Sequence, residues 1–156
     1  MRFTSSSVKE TLHIGRLLAT KLEPGDIICL SGELGSGKTV FTKGIAEGLG
    51  IARSKIISPS FVLIRDYRGK RIPLYHFDLY RLKREQDIFN LGYEAYLYGR
   101  GVTVIEWADK LKNITPPEFL KIYFKHLGRV KRGMEFSAFG GRYKKLLKEL
   151  DDNIRD

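Results

Sequence analysis

The sequence has one cysteine and no long apolar run, and both absences restrict what the chain can be. Cys29 alone can form no internal disulfide, and it cannot assemble a structural zinc site. No apolar run approaches the roughly 18 residues that a membrane-spanning helix needs. Residues 1–7 lack the apolar segment and small-residue cleavage site of a secretory signal. We therefore expect a soluble, cytoplasmic protein.

Positive charge, by contrast, is in excess. The 156 residues include 28 Lys and Arg against 18 Asp and Glu, which gives a formal net charge of +10. Residues 121–156 hold ten of the basic and five of the acidic residues, so the excess is concentrated toward the C-terminus. This distribution predicts an acidic partner such as nucleic acid, a nucleotide or an acidic protein surface. For any single Lys or Arg, we favour the simpler interpretation that it solvates the surface.

Hydrophobic periodicity predicts alternating helices and strands. A capping box at Ser7–Glu10 and the apolar spacing after it predict a helix over about 8–22. Further helices are predicted over 38–49, about 84–97 and about 141–152. Short apolar runs predict strands at 27–30, 61–64, 74–77, 102–105, 119–124 and 134–139. The second and third of these runs form a predicted hairpin, and the last two form a predicted antiparallel pair.

The most specific motif is a glycine-rich loop between a buried strand and a helix. Residues 32–39 read Gly-Glu-Leu-Gly-Ser-Gly-Lys-Thr and match GxxxxGK[ST], the phosphate-binding loop. Glycines let backbone N–H groups turn inward toward phosphate oxygens, and the next helix adds the positive end of its dipole. The strand and helix around the loop argue against an incidental glycine-rich turn. The predicted nucleotide contacts are Glu33, Leu34, Gly35, Ser36, Gly37, Lys38, Thr39 and Val40.

Within this loop, Lys38 is expected to place its charge on the β- and γ-phosphates, and the Thr39 hydroxyl is a ligand suited to Mg²⁺. Two carboxylates follow apolar strands and could complete the site. Asp78 ends the His76–Asp78 segment, and Glu106 follows the predicted strand at 102–105. An acid at a strand end opposite a phosphate loop can bind Mg²⁺ or orient the attacking water. Either residue could instead be a solvated acid, but the pair makes that interpretation weaker.

These motifs together resemble the TsaE (YjeE) family, bacterial P-loop ATPases needed for threonylcarbamoyladenosine (t6A) modification of tRNA. The resemblance extends from the first predicted helix to about residue 112. Its parts are Gly32–Thr39, Ser58–Leu63, Tyr75–Arg81, Leu91–Tyr93 and Ile105–Trp107. The Ser-Pro-x-Phe and HFDLYR segments are the ones that other P-loop ATPases lack. The basic C-terminal region carries no motif of the family.

The resemblance implies a slow ATPase that uses ATP and Mg²⁺ and works with the proteins TsaD and TsaB, with tRNA bound directly or through the complex. It implies catalytic roles for Lys38, Asp78 and Glu106, and Mg²⁺ ligation by Thr39 and Glu106. Trp107 is expected beside the nucleotide. Ser58–Phe61 would be a switch-like segment near the γ-phosphate, and Ser5–Thr11 would approach the adenine. No arginine finger is evident, which leaves a partner as one source.

We therefore predict one domain over residues 1–156. Its expected fold is an α/β, three-layer P-loop NTPase with a mostly parallel central sheet, an antiparallel hairpin insertion and helices on both faces. Two other functions stay open: a small-molecule kinase with Arg81–Arg84 as a lid, and a nucleotide-gated binding module without essential turnover. His76 is interpreted as a buried hydrogen-bonding residue. The basic hairpin tip, Arg65–Arg71, is either an RNA contact or, as we favour, a solvated loop.

Overall fold

The computed structural model describes residues 1–57 and 64–155, which form a seven-stranded sheet flanked by helices. The strands are β1 (Arg2–Ser5), β2 (Ile27–Gly32), β3 (Ile64–Tyr67), β4 (Leu74–Asp78), β5 (Val102–Glu106), β6 (Phe119–His126) and β7 (Arg132–Phe139). The helices are α1 (Val8–Ala19), α2 (Lys38–Gly48), α3 (Glu85–Phe89), α4 (Tyr93–Leu97) and α5 (Gly141–Arg155). Short 3₁₀ segments occupy Arg53–Lys55 and Ala108–Ile114.

The sheet is mixed, with a parallel centre and antiparallel edges. Its strand order is β1-β7-β6-β2-β5-β4-β3. The four central strands, β6, β2, β5 and β4, run parallel to one another. The pairs β1–β7, β6–β7 and β3–β4 are antiparallel. The prediction of a mostly parallel sheet therefore holds for the centre only, because the C-terminal pair and the short polar strand β1, which was not predicted, extend one edge in antiparallel fashion.

Helices cover both faces of the sheet, as predicted. Side chains of β2 alternate between the two layers: Ile28 and Leu30 join a core with α1, α2 and α5, whereas Ile27 and Cys29 join a core with α3, α4 and the 108–114 segment. A strand buried on both faces needs apolar residues at successive positions, which explains the continuous run at 27–30. The carboxyl end of this central strand leads directly into the glycine-rich loop.

Two glycines bring α1 and α2 into close contact behind that loop. A Cβ added at Gly15 would lie 2.6 Å from the Phe41 carbonyl oxygen, and one added at Gly44 would lie 2.4 Å from the Leu12 carbonyl oxygen. Real Cβ atoms do not approach backbone oxygen so closely, so only glycine permits this helix separation. The contact holds α2, which begins at Lys38, closely against α1.

Several predicted helix boundaries differ from the observed ones; the end of α5, for example, is Arg155 rather than about 152. Helix α1 ends at Ala19 rather than near 22. The helix predicted over 84–97 is two short helices, because Gly92 between them adopts a left-handed conformation with φ of 66°. Apolar periodicity alone cannot distinguish one helix from two with the same buried face.

The tip of the β3–β4 hairpin packs against helix ends instead of being fully solvated. The Arg71 guanidinium donates to the carbonyl oxygens of Ala19 and Leu22, at and just beyond the end of α1. A cation at this place satisfies free carbonyl groups and interacts favourably with the helix dipole. For Arg71, the predictions of an RNA contact or a solvated loop are therefore replaced by a structural role.

The basic C-terminal helix α5 is part of the core. Tyr143, Leu146 and Leu150 are buried against the sheet, and the Tyr143 hydroxyl accepts a hydrogen bond of 2.8 Å from the Ile27 amide. Burial raises the pKa of Tyr143 to about 12. Arg142 donates to the buried carboxylate of Asp26 at 2.7 Å. No helix in the described ranges 1–57 and 64–155 is long and apolar enough to cross a bilayer.

Candidate nucleotide site

The glycine-rich loop connects the end of β2 to the start of α2 through three left-handed backbone positions. Gly32, Gly35 and Gly37 have φ angles of 135°, 72° and 108°, values that other residues rarely adopt. Gly37 is the N-cap of α2, and no side chain in the described part of the protein caps this helix. The amides of its first turn therefore remain available to an anion from outside the helix.

Lys38 folds back into the curve of the loop. Its Nζ donates to the carbonyl oxygens of Gly32 at 2.7 Å and Glu33 at 2.8 Å, and it lies 4.2 Å from the centroid of the Trp107 ring. Burial lowers the pKa of Lys38, and the nearby carboxylates of Glu106, Asp78 and Asp109 partly oppose that shift. A buried cation is thus held where the loop glycines converge.

The two strand-end carboxylates lie side by side at the same edge of the sheet. Because β4 and β5 are parallel, Asp78 and Glu106 are register partners, and both side chains are buried. The Thr39 hydroxyl donates to Glu106 Oε1 at 2.8 Å. Asp78 Oδ1 accepts from the Tyr80 amide at 3.0 Å. The structure therefore brings together Lys38, Thr39 and both predicted acids.

His76 adds a contact that the sequence did not reveal. Its Nε2 lies 2.5 Å from Glu106 Oε2, and both residues are almost completely buried. The interpretation of His76 as a buried hydrogen-bonding residue is confirmed, but its partner is the predicted metal ligand. Nδ1 of His76 has no hydrogen-bond partner among the described residues. Glu106 is thus held from two sides, by His76 on β4 and by Thr39 on α2.

Trp107 turns the chain sharply after Glu106. Its φ of 58° and ψ of 39° are left-handed, which is rare and costly for a bulky residue. This conformation places the indole beside the Lys38 ammonium and 5.1 Å from the ring of Tyr80, measured between centroids. Strained backbone of this kind is concentrated at functional sites.

The residues at this edge fit a Mg²⁺ ion held together with phosphates. Thr39 and Glu106 offer a hydroxyl and a carboxylate oxygen, which are the hard ligands that Mg²⁺ prefers. Over residues 1–57 and 64–155, no group of three or more His, Cys, Asp or Glu forms a metal cage. Mg²⁺ commonly uses one or two protein ligands, phosphate oxygens and water, so it needs no such cage.

Comparison of the chain with known proteins identifies its family. A family model described as "Threonylcarbamoyl adenosine biosynthesis protein TsaE" matches residues 5–134. The chain belongs to the TsaE family. The family match reaches residue 134, so it includes β6 and the start of β7, well beyond the limit near residue 112 that the sequence motifs indicated.

Several relatives support the assignment along the chain. A Bacillus subtilis protein named tRNA threonylcarbamoyladenosine biosynthesis protein TsaE is 42% identical over 156 residues, covering 99% of this chain and 97% of its own. A Rickettsia conorii protein of the same name is 38% identical over 129 residues, covering 83% and 73%. The crystal structure of Bacillus subtilis YdiB superposes with a TM-score of 0.85 at 39% identity, covering 99% of this chain and 95% of that one.

The other residues predicted to form the site in this TsaE-family chain differ in burial and in their contacts. Glu33 and Leu34 expose their side chains. Their contacts at the site are made by their backbone carbonyl oxygens, with Lys38 and His126 respectively. Ser36 is buried inside the loop, and Val40 lies half-buried in the first turn of α2. The predicted adenine segment Ser5–Thr11 has its two end hydroxyls hydrogen-bonded to each other at 2.6 Å. The predicted switch segment, Ser58–Phe61, lies outside the described residues.

One neighbour of the loop was missed altogether. The β6–β7 hairpin reaches the loop from the side away from Glu106, where His126 Nε2 lies 3.3 Å from the Leu34 carbonyl oxygen. Arg132 donates to the Gly35 carbonyl oxygen at 3.4 Å. These contacts join residues about 90 positions apart, and only the basic run Lys125–Arg132 gave any sign of them in the sequence.

Proposed function

We propose that this TsaE-family chain binds Mg-ATP and hydrolyses it slowly in support of t6A modification of tRNA. The observation that carries the proposal is the convergence of Lys38 and Thr39, from the glycine-rich loop, with Glu106 at the end of the neighbouring parallel strand. A buried cation, a hydroxyl and a carboxylate around a loop of left-handed glycines suit a polyphosphate with its metal. The names of the relatives supply the pathway.

In this proposal, the loop amides and Lys38 bind the phosphates of ATP. Lys38 exchanges its bonds to the Gly32 and Glu33 carbonyl oxygens for bonds to charged phosphate oxygens, which are stronger acceptors. Thr39 and Glu106 would hold Mg²⁺, and His76 keeps the Glu106 carboxylate in place. Trp107 forms a wall of the site beside the Lys38 ammonium.

Hydrolysis needs positioning and charge neutralisation more than covalent chemistry by the protein. Water attacks the γ-phosphorus, the bond from that phosphorus to the bridging oxygen breaks, and ADP and inorganic phosphate leave. Mg²⁺, when bound, neutralises charge on the phosphate oxygens. Glu106 and Asp78, which are both buried at this edge, would orient water or metal ligands. Lys38 offsets charge on the phosphates.

The partners proposed are TsaD, which transfers the threonylcarbamoyl group to adenosine, and its companion TsaB. The test is reconstitution of TsaD, TsaB and tRNA with Mg-ATP over many turnovers, with and without this protein. We expect the wild-type chain to sustain t6A formation and release of inorganic phosphate. Lys38→Ala should remove both effects, because the loop loses its buried cation. Lys55→Ala is the matched control, since Lys55 is an exposed lysine on a 3₁₀ turn.

Three results would overturn parts of this proposal. Full activity with Lys38→Ala would place the site elsewhere. Unchanged multi-turnover activity with a non-hydrolysable ATP analogue would indicate a nucleotide-gated binding module. Transfer of phosphate to a metabolite, without release of free phosphate, would indicate a kinase.

A further inference from the structure

The β6–β7 hairpin places an arginine against the phosphate loop. On one side of β2, strand β5 carries Glu106 to the loop, and on the other side β6 leads into the hairpin. At the start of β7, the aliphatic part of Arg132 passes Gly37, since a Cβ added at that glycine would lie 3.7 Å from Arg132 Cγ. Arg132 Nη2 lies 3.4 Å from the Gly35 carbonyl oxygen. Lys38 and Arg132 therefore approach the same loop.

The charge of Arg132 is not balanced by any carboxylate in the described part of the chain. Within residues 1–57 and 64–155 its guanidinium donates only to backbone carbonyl oxygens, those of Gly128 and Lys131 at 3.0 Å and of Arg129 and Gly35 at 3.4 Å. The acid nearest along its own strand, Glu135, is within 3.5 Å of Arg2 instead. Carbonyl groups satisfy N–H donors through their dipoles, but they carry no net charge and leave the positive charge of Arg132 uncancelled. A cation with this environment, beside a loop shaped for anions, is suited to a negatively charged ligand.

We propose that Arg132 binds the phosphate chain of the nucleotide from the hairpin side, as a second cation opposite Lys38. This inference rests on the proposed function and adds a residue to the same site. The guanidinium presents a planar fork of N–H donors, which matches pairs of phosphate oxygens. Its long bond to Gly35 is the one that phosphate would replace, while the shorter bonds keep the arginine on the hairpin. The second cation then comes from the chain itself.

A purely structural role for Arg132, closing the hairpin through carbonyl groups, makes a different prediction. Arg132→Gln keeps N–H donors for those carbonyl groups and removes the charge. Arg132→Met is a second neutral variant that keeps an aliphatic stem against Gly37, and Arg132→Lys keeps charge without the fork. Lys131→Gln is the matched control, because Lys131 is the adjacent exposed cation and its hydrogen bond with Arg132 is made by the backbone carbonyl oxygen, which the substitution keeps.

The experiment is calorimetric titration of the full chain with Mg-ADP and with Mg-ATP across a salt series, after circular dichroism has shown that each variant is folded. At low salt we expect both neutral variants to lose about tenfold or more in affinity. Arg132→Lys should lose less, and Lys131→Gln should match wild type. The difference in nucleotide affinity between wild type and the neutral variants should become smaller as salt is added, because screening weakens the attraction between charges.

The outcomes separate this inference from the proposed function. Wild-type affinity in a folded neutral variant, together with loss of binding in Lys38→Ala, would overturn the role of Arg132 and leave the proposed site standing. A salt-independent loss shared equally by Arg132→Lys would assign Arg132 to hairpin structure and overturn phosphate binding. If the wild-type chain bound neither nucleotide, the proposed function itself would fall.

Discussion

At the scale of single residues, Lys38 shows how a charge placed for the proposed phosphate contact lowers the stability of the fold around it. Burial lowers the pKa of Lys38, so the folded protein binds its proton less tightly than the unfolded chain does. Below the lowered pKa, Lys38 is charged in both the folded and the unfolded state, and burial of that charge destabilises the folded state by the full amount. As pH rises through that pKa toward the ordinary value of 10.5, the folded state sheds the proton first and the unfavourable effect disappears.

The resulting prediction compares wild type with Lys38→Met in the absence of nucleotide. We expect the free energy of unfolding of wild type, relative to the variant, to increase as pH rises from 7 toward 10.5. Urea unfolding at several pH values measures this difference, because the variant removes the titrating group and shares the other groups. A difference that stayed constant or fell with pH would show that burial does not disfavour the charge on Lys38.

Glu106 contacts both Thr39 and His76 in the candidate site. A substitution can remove its charge while keeping its shape. Glu106→Gln preserves the volume and a hydrogen-bond acceptor for Thr39, but it removes the negative charge that would face Mg²⁺. We expect nucleotide affinity within about threefold of wild type and turnover reduced about tenfold or more. Asp78→Asn should show a similar or milder loss.

The measurement for these variants is phosphate release under limiting Mg²⁺, beside a titration of nucleotide binding. Asp152→Asn is the control, because Asp152 is an exposed acid near the end of α5. Normal hydrolysis by both Glu106→Gln and Asp78→Asn would show that the strand-end acids do not form the proposed metal site.

Trp107 gives the site an intrinsic optical signal. It is the single tryptophan of the sequence, and its ring lies 4.2 Å from the Lys38 ammonium. We expect tryptophan emission to change when ADP or ATP binds, because Lys38 would move onto phosphate and alter the field at the indole. A fluorescence titration checks this. No change at saturating nucleotide, with binding established by calorimetry, would contradict the placement of Trp107 at the nucleotide.

At the scale of elements, the sequence predicted the features that depend on local patterns of residues. The buried strand at 27–30, the loop and helix after it, and the carboxylate at the end of the 102–106 strand each follow from neighbouring residues, and all are present. It did not predict β1, which is four residues long and pairs with β7 from the far end of the chain. The contacts of His76 with Glu106 and of Arg132 with the loop also depend on strand order, which local spacing does not specify.

The contact between α1 and α2 leads to a prediction about packing. Gly44→Ala places a methyl group 2.4 Å from the Leu12 carbonyl oxygen, so the helices must separate. We expect the free energy of unfolding to fall by about 1–3 kcal/mol, the usual cost of overpacking. Gly141→Ala, where no atom of the described residues lies within 4 Å of the added Cβ, is the control and should be neutral or stabilising. Equal stability of the two variants in urea unfolding would show that α1 and α2 separate without cost.

At the scale of the whole molecule, the basic C-terminal region divides into a structural and a solvent-exposed part. Arg142 is paired with Asp26, and α5 buries Tyr143, Leu146 and Leu150, so removing residues 141–156 would damage the core along with the charge. Lys144, Lys145 and Lys148 are exposed. They are the charges of this helix that remain candidates for an acidic partner.

We expect the triple variant Lys144→Gln, Lys145→Gln and Lys148→Gln to bind tRNA, or the TsaD–TsaB–tRNA complex, more weakly than wild type. The slope of log affinity against log salt should fall by roughly 0.7–0.9 for each phosphate that the variant no longer neutralises. Binding measured across a salt series tests this, while Mg-ATP affinity should not change. A triple variant of Lys55, Arg100 and Lys112 to Gln, three exposed cations outside α5, controls for net charge. Equal slopes for wild type and the α5 variant would make these lysines solvating residues only.

The burial of Cys29 between the sheet and the α3–α4 layer has a practical consequence. Burial raises the pKa of its thiol to about 12, so the reactive thiolate is almost absent at neutral pH. A cysteine introduced elsewhere would then be the one site open to a maleimide dye, without mutation of Cys29. Leu34, whose side chain is 68% exposed at the tip of the loop, is such a position. A fluorophore attached there would report changes in the surroundings of the loop from a chain that keeps its native core.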